Sequence, residues 1–170
     1  MRQLLLCFFF ASALFVGCGD DDMDGPRNSF TLDGETYELT KGFLEDFGTN
    51  GNGSFDFDVT LTSATINYSE VQGSFNGVGD FVYLDFNTSS EDGLISGTYN
   101  FSSDRNAFTF VAGVVGTGYD LSTASGEDFT ILGGTAEVSI DGTTTTIDFD
   151  ITTSSNLTVT GSWTGMLREI

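Results

Sequence analysis

The sequence predicts an all-β protein, an antiparallel meander of roughly nine strands closed as a lipocalin-like barrel or folded into a two-sheet sandwich. Three observations carry that prediction. Apolar and polar residues alternate with a period of two along several segments. Asn-Gly and Asp-Gly pairs fall between those segments, where tight hairpins need them. No stretch of ten or more residues shows a convincing helical period.

Taken in order, the first hairpin joins Ser29–Leu32 to Thr36–Phe43 through Asp33-Gly34. Asn50-Gly51-Asn52-Gly53 then leads into Ser54–Thr62, where Phe55, Phe57, Val59 and Leu61 share one face. Asp56, Asp58, Thr60 and Thr62 occupy the other, as expected for a sheet with one solvated side. Further strand candidates are Asp80–Asn87, Leu94–Phe101 and Ala107–Val115. Asp141-Gly142 separates Ala136–Ile140 from Thr144–Ile151, which turns Ile147, Phe149 and Ile151 inward. The last run, Leu157–Leu167, aligns Leu157, Val159, Gly161, Trp163, Gly165 and Leu167. Two glycines beside an indole predict close packing there. Ser63–Gly79 and Gly116–Gly133 are less regular and read as loops, with Tyr68 and Tyr119 among Gly, Ser and Asn.

The chain has 170 residues, 17 of them Phe, which is enough apolar material for one core without metal or disulfide support. It carries 25 acidic and 5 basic residues, a net charge of −20. Such a polyanion repels phosphates, so nucleic-acid binding is excluded as a function class.

The first residues set the organisation of the chain. Met1-Arg2-Gln3 is a short basic start, and Leu4–Val16 is apolar but too short to favour a membrane span. Leu14-Phe15-Val16-Gly17-Cys18 resembles the lipobox of bacterial lipoproteins, with Phe15 where Leu is usual. The resemblance implies a signal peptide over 1–17, cleavage before Cys18 and acylation of that cysteine. It then leaves Cys18 as the sole cysteine of the mature chain, because Cys7 lies in the leader. Gly19-Asp20-Asp21-Asp22-Met23-Asp24-Gly25-Pro26 follows, within an acidic flexible tether over 18–28. This segment resembles the surface-export signal of Bacteroidota lipoproteins. That resemblance implies a lipid anchor in the outer membrane, with the domain over 29–170 facing the cell exterior; the periplasmic face is the alternative address.

The chemistry read from the sequence is mostly exclusion. With no His, triad and Cys-His nucleophile systems and Cys/His zinc sites are absent. No phosphate-binding or dinucleotide motif is present, no cofactor is expected, and Lys41 is the only lysine. Asp56/Asp58 and Asp148/Asp150 form pairs about 7 Å apart on the outer side of their strands. Exposed carboxylates there would lack the burial that raises an acid's pKa, so a carboxylate-based glycan-active enzyme ranks last. Asp46, Asn50, Asn52, Asp56 and Asp58 offer oxygen ligands suited to Ca²⁺, without EF-hand spacing. Trp163, Tyr119 and Tyr68 are the candidate ligand-binding aromatics. The expected function is a non-catalytic surface binding or accessory module for a glycan, a small ligand or another outer-membrane protein. A structural or assembly component of the envelope is the alternative.

Overall fold

A computed structural model describes residues 28–170. The expected signal peptide, Cys18 and almost all of the expected acidic tether lie outside the described residues. The described chain is all-β, with thirteen strands and no helix. The strands are β1 (Ser29–Leu32), β2 (Glu35–Glu38), β3 (Lys41–Thr49), β4 (Phe55–Thr62), β5 (Asn67–Ser69), β6 (Ser74–Asn76) and β7 (Val78–Thr88). They continue with β8 (Gly97–Phe101), β9 (Thr109–Asp120), β10 (Ser125–Asp141), β11 (Thr144–Thr153), β12 (Thr158–Gly165) and β13 (Arg168–Glu169).

Eleven strands form one curled sheet in the order β13-β3-β4-β7-β9-β8-β10-β11-β12-β1-β2. Strands β5 and β6 make a separate small hairpin. Two pairings depart from the antiparallel meander: β8 runs parallel to β9, and β13 runs parallel to β3. Strand β8 wedges between β9 and β10 at one end, while at the other end those two pair directly.

The turn chemistry explains the hairpins. Asp33 and Gly34 have φ of 51° and 83°, the left-handed pair that a two-residue turn demands. Gly142, at φ 61°, serves the β10–β11 hairpin. Inside the curl, alternate residues of each strand meet in one core that includes Phe30, Phe57, Leu84, Phe86, Tyr99, Phe110, Ile131, Ile147 and Trp163. Phe86 packs edge-on against Tyr99 with ring centroids 5.0 Å apart. Tyr99 is fully buried, and its hydroxyl donates to the Ile95 carbonyl at 3.0 Å, so no phenol oxygen is stranded.

Three expectations change. The strands number thirteen rather than about nine, because Thr36–Phe43 breaks at Leu39-Thr40 into β2 and β3, and short β5, β6 and β13 escape periodicity. The segment Gly116–Gly133 is not loop; most of it lies in the β9–β10 hairpin. Its glycines blur the alternation because they make room for side chains: a Cβ on Gly116 would fall 2.2 Å from Cε1 of Phe81. Leu94–Phe101 is strand only from Gly97 onward.

Candidate functional site

Two places on this scaffold gather chemistry-bearing side chains. The first lies on the convex side of β4 and β7. In the β4–β7 register Asp58 stands opposite Asp85 and Asp56 opposite Asn87, so Asp56, Asp58 and Asp85 share a face. One carboxylate oxygen from each lies within 4.8 Å of the others. The chain places its own cation here. Arg105 Nη1 donates to Asp56 Oδ2 at 2.5 Å and to Asp85 Oδ1 at 3.1 Å, and Nη2 donates to Asp85 Oδ2 at 2.8 Å. The Asp85 contact is a bidentate fork, the geometry a guanidinium favours. Beside it, Tyr83 donates its hydroxyl to Asp58 Oδ2 at 2.6 Å.

The exposure expected for Asp56 and Asp58 is corrected by this arrangement. Both are partly buried, and the Asp56 side chain is only 17% exposed. Burial, reinforced by the neighbouring Asp85, pushes Asp56 up to about 6 against the pull of Arg105. Burial also pushes Asp58 up to about 6, although the Tyr83 hydrogen bond works in the opposite direction. The Tyr83 phenol is itself raised, by burial and by the Asp58 carboxylate it serves. Asp148 and Asp150 remain exposed on the β11 outer face, as expected.

The oxygen-rich loop between β3 and β4 acts as a clasp on the Arg105 segment. Asn50 Nδ2 donates to Ser54 Oγ and to Asn87 Oδ1, at 3.0 and 2.7 Å. Asn52 Nδ2 and Ser54 Oγ both donate to the Arg105 carbonyl, at 2.7 and 2.6 Å. Asn52 Oδ1 accepts from the Ser54 amide. Asp46 turns to its own strand, accepting from Gly48 N at 2.7 Å. Of the five residues weighed for Ca²⁺, Asp56 and Asp58 come together with Asp85, while Asp46, Asn50 and Asn52 serve protein partners.

The second place is the seam where the ends of the sheet approach each other. The link Leu39-Thr40 carries the chain from β2 into β3, and Met166-Leu167 carries it from β12 into β13. A cavity of about 290 Å³ opens between these elements, lined by Lys41, Phe43, Trp163, Gly165, Met166 and Arg168, among others. Trp163 is 2% exposed and fills the space left by two glycines. A Cβ on Gly42 would lie 2.6 Å from Cζ2 and Cη2 of the indole; one on Gly165 would lie 2.7 Å from Cζ2. The Trp163 Nε1 atom is itself buried and has no hydrogen-bond partner among the described residues.

Around the cavity, the β5–β6 hairpin supports Phe43 from outside. Phe75 meets Phe43 edge-on at 5.0 Å, and Tyr68 lies tilted at 6.3 Å. Arg168 reaches over the Phe43 ring, its Cζ 5.9 Å from the centroid, and pairs with Glu70. Lys41 donates its three N–H bonds to Ala64 O, Ile66 O and Asn67 Oδ1 at 2.7–2.8 Å. Trp163 and Tyr68 are thus brought to one region, Tyr68 as support behind Phe43. Tyr119 sits apart on β9, edge-on to Phe81 at 5.7 Å.

Sequence reading missed Asp85, Tyr83 and Arg105 in the first cluster and Phe43, Met166 and Arg168 in the second. The scarcity of cations was the available signal: among the described residues only Lys41, Arg105 and Arg168 carry positive side chains, and each stands in one of these two places. No family model matches the chain, and no curated protein or solved structure shows significant similarity to it. Among the described residues no helix is long and apolar enough to cross a membrane.

Proposed function

We propose that this chain is a lipid-anchored, non-catalytic binding module, acylated at Cys18, tethered through its acidic segment and carried on the outer face of the outer membrane. The seam cavity is the observation that supports a binding role: it is a solvent-open concavity walled by Trp163, Phe43 and Met166 on a rigid sheet. The curled sheet is best read as an incompletely closed barrel rather than a sandwich, since one core lines a single concave face. Its centre is filled by Tyr99, Phe30, Phe86 and Phe110, which turns the small-ligand reading away from the interior and toward the seam. The non-catalytic part of the reading draws on the carboxylates. Asp56, Asp58 and Asp85 are committed to Arg105 and Tyr83, and they line neither this cavity nor a second one near Asp46, Glu91 and Asp92.

The test is a crosslinking pull-down from intact cells, comparing wild type with Cys18→Ala. Wild type should be membrane-bound, reachable by protease from outside and crosslinked to a partner. Cys18→Ala should be released from the membrane. If both variants stay membrane-bound and surface-accessible, the anchor is wrong.

A second reading, an envelope assembly component, is favoured by one feature. Strand β13 covers β3 only at Phe43 and Leu44, and among the described residues the rest of that edge has no strand partner. Concentration-dependent association in light scattering would support it, and a monomer at all concentrations would reject it.

A further inference from the structure

We propose that the mouth of the seam is a lipid-docking face, by which the domain lies against the membrane that holds its own anchor. This rests on the reading of Cys18 as acylated and names what the seam faces.

The path of the chain is the first support. The described residues begin at the seam: Asn28 Nδ2 donates to Thr164 O at 3.1 Å, and Thr164 N donates to Asn28 Oδ1 at 2.7 Å. Thr164 lines the seam cavity, and so does Met166, two residues further on. From Cys18 to Asn28 is ten residues, at most about 35 Å of chain. A lipid on Cys18 therefore draws the seam end of the domain toward the bilayer. Tethering also raises the effective concentration of the domain at the surface, so weak contacts suffice to orient it.

Exposed apolar side chains gather at the same end. Among the described residues, Val71 at 98% and Met166 at 72% are the most exposed large hydrophobic side chains. One ion pair joins their segments: Glu70, which precedes Val71 between β5 and β6, holds Arg168, two residues beyond Met166. Phe43 lies beneath, with Phe75, Tyr68 and Arg168 around it. Apolar tips bordered by Tyr, Lys and Arg suit a membrane interface, where the tips leave water and the polar ends keep it.

Charge selects this face from the rest. A chain of net −20 meets lipid most easily where its own acids are fewest. Among the described residues no carboxylate lines the seam cavity, whereas Lys41 and Arg168 both do. Two acids adjoin it: Glu70 is paired with Arg168, and Glu38 stands opposite Ser29, next to Asn28. The face is thus close to neutral. Lys41 spends its N–H groups on protein acceptors, so docking comes from apolar surface and absent repulsion rather than from a gripped headgroup. Farther along β3 the acids return, with Asp46, Glu91, Asp92 and Glu169 around the other cavity, and they bound the face.

The experiment places the acylated full chain on phosphatidylcholine vesicles that carry a nitroxide at the headgroup boundary. A fluorophore is attached to one introduced thiol, at Met166→Cys or at Ser103→Cys. Ser103 belongs to the loop of Arg105, clasped by the β3–β4 loop at the far end of β3, about 25 Å from Lys41. The label at 166 should be quenched roughly 3-fold more than the label at 103, since docking brings it within about 10 Å of the nitroxide. With the label at Val71→Cys instead, Met166→Glu should cut the quenching to roughly half or less, while Trp163 emission keeps its folded position. Equal quenching at 166 and 103 on vesicle-bound protein, or quenching at 71 untouched by Met166→Glu, overturns the docking face and leaves the anchor standing. Protein that stays off the vesicles overturns both. Shielding at 166 that rises with protein density rather than with lipid assigns the face to a second copy and also overturns the proposal.

Discussion

Replacing Asp58 by Asn should stabilise this protein at neutral pH, an unusual outcome for a substitution in a hydrogen-bonded cluster. Asp58 is partly buried on β4 opposite Asp85, and its pKa rises from 3.8 to about 6. Two pK units correspond to about 3 kcal/mol of ionisation cost at pH 7.5, at about 1.36 kcal/mol per unit. Solvent screening at a partly exposed site reduces this to about 1–2 kcal/mol. The folded-state value exceeds the unfolded one, so the folded protein binds more protons between about pH 4 and 6. Unfolding free energy from this group therefore falls as pH rises through that window, and the loss is complete above it. Asn is uncharged throughout, and its amide oxygen can still accept the Tyr83 hydroxyl held at 2.6 Å. Urea denaturation followed by Trp163 fluorescence should show Asp58→Asn more stable than wild type by about 1–2 kcal/mol at pH 7.5. The difference should shrink toward zero at pH 4. Comparing variant with wild type at each pH cancels the relief of overall charge repulsion that acid brings to a chain of −20. A variant less stable than wild type at pH 7.5, or a gap equal at both pH values, refutes the reasoning.

Two further outcomes follow from the same contacts. Arg105→Ala strips the guanidinium from Asp56 and Asp85 while keeping the carbonyl that Asn52 and Ser54 bind. It should cost about 1–3 kcal/mol in chemical denaturation at pH 7.5 and less at pH 5, where the freed carboxylates can take up protons. Gly42→Ala drives a methyl to 2.6 Å from the Trp163 ring and 2.8 Å from Leu167. A loss of about 1–3 kcal/mol and a red-shifted Trp163 emission are expected; unchanged stability and emission would mean the seam yields.

Much of the sheet was legible from local pattern. Phe57, Val59 and Leu61 are buried as the alternation of that segment requires, and Ile147, Phe149 and Ile151 repeat the result on β11. Asp33-Gly34 makes the turn that its composition prescribes. Trp163 lies on the inner face with Gly165 packed against the indole, whereas Gly161 makes room for Phe149 and the second glycine at the indole is Gly42. Period-2 burial is a property of one strand at a time, and a strand needs no knowledge of its neighbours to show it. The parallel pairings of β8 and β13 were not legible, since a two-residue strand such as Arg168–Glu169 has no period to read.

The candidate sites were hidden for a different reason. Asp58 and Asp85 are 27 residues apart and become neighbours only through the β4–β7 register. Arg105 reaches Asp56 and Asp85 from a loop, and Asp56 and Asp58, which read as solvent-facing, are partly buried beside the buried Asp85. The same holds for Phe43 and Met166, which share a cavity only because the sheet curls.

By itself, then, the sequence determined the class of structure, the absence of histidine chemistry and the strong negative charge. Each of these depends on composition or on spacing within a few residues. The tertiary structure decided which acids gather around Arg105, that Asp56 and Asp58 titrate near 6, and that Lys41, Arg168 and Trp163 border one cavity. Those properties depend on distances between segments far apart in the chain, and on the burial that follows when strand register and curl bring them together.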